Sequence, residues 1–207
     1  MSPRAISTCG KVLLVTGILG ALTVIPMLAW PVESPEGLVR YPFTLETFQA
    51  FQTWFFVHHI GLVLGAIGFA FSNATGGSRV GRIFAWLAVI GLVGLTGMEL
   101  YTRQFGELEM KVANTGAMGA GYGISTNLVG LGMLVSGVSV LRARVWSGWW
   151  RFTPLLVGIT HFVLVTPAIF SNGWVIARLA IGTWMLLLGA LGWGLMVEAR
   201  RLEPLPA

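Results

Sequence analysis

Six apolar runs divide this chain: Val12–Trp30, Phe51–Phe71, Ile83–Tyr101, Gly119–Leu141, Phe152–Phe170 and Trp174–Val197. A helix needs about 20 mainly apolar residues to cross roughly 30 Å of hydrocarbon. Each run meets or approaches that length. Only Ser171, Asn172 and Gly173 separate the fifth run from the sixth, which predicts a tight turn. The longest connections, Pro31–Ala50 and Thr102–Met118, leave no room for a soluble domain. The pattern predicts an all-α, polytopic bundle of six transmembrane helices forming one membrane domain over residues 1–207. The first run is longer than the roughly 7–15-residue core of a signal peptide and no A-x-A site follows it, so it reads as a retained span.

Composition agrees. Of 207 residues, 55% are hydrophobic and 10% charged, and the mean hydropathy is +0.78. A soluble domain carries about a quarter charged residues, and here aspartate is absent altogether. The 28 Gly and 9 Trp suit close helix packing and interfacial aromatic belts. A net charge of +5 does not point to nucleic acid, because the basic residues stand singly between apolar runs. The lone Cys9 excludes an internal disulfide and a cysteine-built metal cluster. In overall composition the chain resembles small multi-span proteins of high-GC bacteria, a likeness that implies no activity.

Charge sets the expected orientation. With the N-terminus inside, the inner face holds Arg4, Lys11, Arg79, Arg82, Arg142, Arg144, Arg151, Arg200 and Arg201. The outer side holds Arg40, Arg103, Lys111 and Arg178. The positive-inside rule therefore predicts N-in and C-in, in the cell membrane. Asn73-Ala74-Thr75 matches a glycosylation acceptor but falls in an inner turn under this orientation. Phe71-Ser72-Asn73 recurs as Phe170-Ser171-Asn172, and at the same offset Glu99 maps onto Glu198. This echo suggests two inverted three-helix halves, 1–102 and 103–207, against the alternative of coincidence in low-complexity sequence.

Ionisable groups inside a membrane are costly and by default mark function. His58 and His59 lie side by side in the second run, Glu99 closes the third, and Asn127 lies in the fourth. His161 sits midway down the fifth run and Arg178 one turn into the sixth. Gln52, Thr126 and Thr166 fall in the same half, so the polar residues are expected beneath one face, around a pocket. Each also has a bland reading: an interfacial histidine snorkels, Glu99 is solvated at the boundary, Arg178 anchors its helix.

Several chemistries fit this set unequally. Adjacent His58 and His59 lack the i, i+4 spacing of paired ligands, so neither a metal nor another cofactor is expected. Gly121-Tyr122-Gly123 echoes a potassium filter, but the charged segment before it does not suit a pore helix, and the triplet reads as a flexible turn with an interfacial tyrosine. The leading expectation is a pocket for a small apolar or amphipathic, isoprenoid- or lipid-like molecule taken from membrane lipid. Acid–base chemistry of a cyclase or isomerase type would follow, with Glu99 as acid and His58, His59 and His161 around it. Asn127, Arg178, Trp54, Phe55 and Trp174 would bind the ligand, Arg178 through any anionic head group and the aromatics through cation–π contact. The alternatives are a small secondary transporter or channel, and an accessory subunit. Gly61-x-x-x-Gly65 offers a close-packing face, either for a homodimer or within the chain.

Overall fold

The computed structural model describes residues 1–171 and 173–201 and is helical throughout its core. The spanning helices are α1 (Pro3–Ala29), α2 (Leu45–Phe71), α3 (Arg79–Thr102), α5 (Ala117–Ala143) and α8 (Trp174–Arg201), with the composite span Trp149–Phe170 between the last two. A short helix, α4 (Met110–Thr115), precedes α5. The composite span runs from a 3-10 turn (Trp149–Phe152) into α6 (Thr153–Thr160), then a π-turn (His161–Val165) and α7 (Thr166–Phe170). Six helices are thus long and apolar enough to cross a membrane, as the hydropathy pattern predicts.

The helices outrun the apolar windows because their ends are capped by polar side chains. Ser2 accepts the Ala5 N–H (3.3 Å), Thr44 the Thr47 N–H (3.2 Å) and Ser78 the Gly81 N–H (3.1 Å). Each cap satisfies a backbone donor that the first turn leaves unpaired. Hydropathy alone therefore starts α1 at Val12, while the capped helix starts at Pro3. Asn172, the middle residue of the expected turn, lies outside the described residues.

The six spans close into a ring in the order α1, α2, α3, α5, composite span, α8, and α8 returns to α1. Leu62, Leu92, Met133, Leu188, Leu191 and Leu195, all fully buried, fill its interior. Less than half of each apolar window is buried within the protein, so the remainder is left for lipid. Between helices in lipid there is little hydrophobic drive, and close van der Waals packing must hold them. Small residues supply it along α1/α8 and α3/α5. A Cβ on Gly10 would lie 2.7 Å from the Gly192 carbonyl, and one on Gly132 2.6 Å from the Phe84 carbonyl. Gly61 and Gly65 face Thr16 and Leu13 of α1, so that glycine pair packs within the chain.

One end of the ring carries the two long connections, and the other carries the N-terminus and the end of α8. At the long-loop end the connections are tied together. Val39 N–H donates to Leu108 O (3.0 Å), Arg40 N–H to Gly106 O (3.1 Å) and Met110 N–H to Gly37 O (2.6 Å). The Arg40 guanidinium pairs with Glu107 at 3.0 Å. Beneath this clamp Phe43 is 2% exposed and touches Trp30, Phe51 and Trp174.

Candidate functional site

Directly under the clamp, four helices contribute polar side chains to one point. Glu99, three residues from the end of α3, is 6% exposed. The Tyr122 hydroxyl of α5 donates to its Oε2 at 3.2 Å. Gln52 of α2 and Thr102 of α3, both buried, adjoin the same phenol oxygen. The Thr102 hydroxyl adjoins it without the geometry of a full hydrogen bond. Arg178 of α8 lies within electrostatic reach of both Glu99 and Tyr122. Its guanidinium stacks over the Trp174 ring at 4.0 Å, and its Nε is buried without a hydrogen-bond partner.

This arrangement follows from helix periodicity. Arg178 and Trp174 are four residues apart on α8, hence on one face, and Trp174 is wedged edge-on between Tyr41 and Phe43. The aromatic wall sets the guanidinium against the interior. Phe55 stacks on Phe51 at 6.1 Å and extends the same wall. No hydrogen bond or ion pair joins Glu99 directly to Arg178; the guanidinium acts on the carboxyl group through space, and each would bear a larger desolvation cost with the other removed.

The histidines lie elsewhere. All three are buried, at 3% (His58), 4% (His59) and 1% (His161). His58 Nε2–H donates to the Thr16 carbonyl of α1 (2.7 Å), and a Cβ on Gly20 would meet that ring at 2.7 Å. His59 Nδ1–H donates to the Phe55 carbonyl one turn back (2.6 Å). His161 packs on Gly130 of α5 and on the Trp184 ring of α8 (5.8 Å), with Thr166 Oγ1 at 3.5 Å from Nε2. The Nδ1 atoms of His58 and His161 have no partner. His58 and His161 sit level with Met185 and Trp184 of α8, about 10 Å deeper than Arg178. The group bonded to Glu99 is thus Tyr122 and not a histidine.

Other expected ligand residues separate. Trp54 is 37% exposed and donates through Nε1 to Thr23 Oγ1 of α1 (3.1 Å), away from Arg178. Asn127 is exposed on α5, its Nδ2 donating to the Gly123 carbonyl (2.7 Å). The polar groups are also not confined to one end. At the terminal end Glu198 accepts Trp150 Nε1 (2.7 Å) and pairs with Arg201 (3.0 Å), beside a cavity of about 70 Å³ lined by Ile6, Ser72, Trp146 and Leu195. A shallow groove of about 340 Å³ runs between Pro35–Leu38 and Glu109–Lys111 on the clamp's outer surface. Neither hollow lies at Glu99. Among the described residues, no group of three or more His, Cys, Asp or Glu is placed to hold a metal ion.

Tyr122 and Thr102 are what sequence reasoning passed over. The structure starts α5 at Ala117, so Tyr122 falls more than one turn inside the helix rather than in a glycine turn. Comparison adds no relative: no protein-family model, no curated protein and no solved structure matches this chain.

Proposed function

We propose that this multi-pass membrane protein binds a small anionic amphiphile at its long-loop end and exchanges a proton with it. Arg178 holds the head group and Glu99 is the acid–base residue, oriented by Tyr122. The observation that carries this reading is the Glu99–Tyr122–Arg178 group, where a 3.2 Å hydrogen bond fixes the carboxylate and the guanidinium keeps an unpaired Nε. Aromatic side chains roof it: Trp174, Phe43 and Phe51. By the positive-inside rule the long-loop end faces outward, and a reporter fused after Ala207 is expected to be active only in the cytoplasm.

The test uses oleate, a carboxylate on a single chain, and counts adducts by native mass spectrometry of protein released from nanodiscs. Glu99→Gln keeps the guanidinium and retains the adduct. The double variant Glu99→Gln/Arg178→Gln removes both charges together and is expected to lower occupancy roughly tenfold, equivalent to about 1.4 kcal/mol. Equal occupancy in the two variants would refute the assignment of Arg178.

A second reading, a small secondary transporter, rests on a different feature. If the halves 1–102 and 103–207 are inverted copies, α1/α8 and α5/α3 become equivalent pairs. Both seams bring backbones together at glycine, Gly17 against Gly189 and Gly91 against Ser125.

A further inference from the structure

The composite span changes neighbours halfway along. In α6, Gly158 packs against Leu134 and Leu155 against Gly137 of α5, and the His161 ring lies on Gly130. Beyond the π-turn this contact ends. No Cα of Thr166–Phe170 comes within 8 Å of α5, although the same segment stays against α8. The cause is local: a π-turn inserts an extra residue into the helical repeat, and Pro167 supplies no N–H to the turn before it.

Extending the register of the lower contacts brings Gly123 and Asn127 of α5 to the side from which α7 has turned away. A Cβ on Gly123 would meet nothing within 4 Å. Asn127 is exposed there, and its Nδ2 uses one hydrogen on the Gly123 carbonyl, leaving the second hydrogen and Oδ1 free. It lies about 15 Å along α5, at hydrocarbon depth, where an amide with spare hydrogen-bonding capacity is costly. Tyr122, one and a half turns nearer the long-loop end, leads from this side to Glu99 and Arg178.

We infer that the wedge between α5 and Thr166–Phe170 admits a monoacyl phospholipid sideways from the bilayer. Its phosphate meets Arg178, its glycerol lies along Gly123, and its ester carbonyl accepts the free Nδ2–H of Asn127. The register suits this: Gly123 and Asn127, four residues apart, share one face over roughly 6 Å of rise, and Tyr122, next to Gly123, turns inward to Glu99. This assignment rests on the head-group role given to Arg178 above, and adds the ligand class and the route.

The test is photo-crosslinking in nanodiscs with lysophosphatidic acid carrying a diazirine at the start of its acyl chain. Crosslinks are expected in peptides covering residues 123–131 and 163–170. Gly123→Leu blocks the wedge where there is space for a side chain, and Asn127→Leu removes the amide. Each is expected to lower crosslinking roughly fivefold, the effect of about one hydrogen bond or more. Ile90→Trp, on the exposed face of α3, should leave it unchanged. Elution volume checks that every variant is folded. Crosslinks spread over other lipid-facing surfaces, or insensitive to Gly123→Leu and Asn127→Leu while the Arg178-dependent oleate adduct persists, would overturn the wedge alone. Absence of both lysophosphatidic acid and oleate binding would overturn the head-group site and the wedge with it.

Discussion

Arg178→Leu is expected to destabilise the bundle by about 1–2 kcal/mol, the cost of taking the nearby positive charge away from a buried carboxyl group while losing the stack on Trp174. Glu99 is 6% exposed and accepts one hydrogen bond, from Tyr122. A phenol donor does not neutralise it. The partner substitution supplies the decisive control. Glu99→Gln in the Arg178→Leu background removes the stranded charge and should recover that part of the loss, because a neutral amide still accepts from Tyr122. A double-mutant cycle on the detergent midpoint of unfolding measures the coupling. Additive effects would mean that the two groups do not sense each other. Arg178→Lys keeps the charge but not the planar stack on Trp174, so it should fall between wild type and leucine.

Gly17→Val should be more damaging, for a purely steric reason. A Cβ at residue 17 would stand 2.6 Å from the Gly189 Cα and 2.7 Å from the Met185 carbonyl. Both are backbone atoms of α8 and cannot rotate aside, so α1 and α8 must separate. Overpacking costs typically 1–3 kcal/mol where side chains absorb it; here a whole seam must open, and about 3 kcal/mol or more is expected. Gly97→Ala is the matched control, since a Cβ there meets nothing within 4 Å and the midpoint should hardly move. Equal midpoints for Gly17→Val and Gly97→Ala in a thermal melt would remove the seam as the source of stability.

The spans were legible in the sequence because lipid imposes one simple rule: backbone groups must be bonded within a helix, and the side chains over some twenty residues must be mostly apolar. Capped extensions such as Pro3–Lys11, and the short α4, carry no such signature and were missed. Glu99 and Arg178 each stand out in the sequence because charges are rare in these spans, but nothing there sets them against each other; the sequence groups Glu99 with the histidines instead. Tyr122 does not stand out, since an aromatic near a span end has the same appearance whether it sits in the interface or turns inward. Which way a residue points also escaped hydropathy. Asn127 and His161 fall at similar depths, yet Asn127 is exposed and His161 is buried against Gly130 and Trp184.

The strap formed by residues 37–40 and 106–110 joins the connection between α1 and α2 to the connection between α3 and α5. It binds those four helices into a frame at one rim, leaving α7 outside it. With the helical repeat interrupted at the π-turn, the composite span is expected to be the more compliant part of the ring, a difference that hydrogen exchange across Thr153–Phe170 would read against the framed helices.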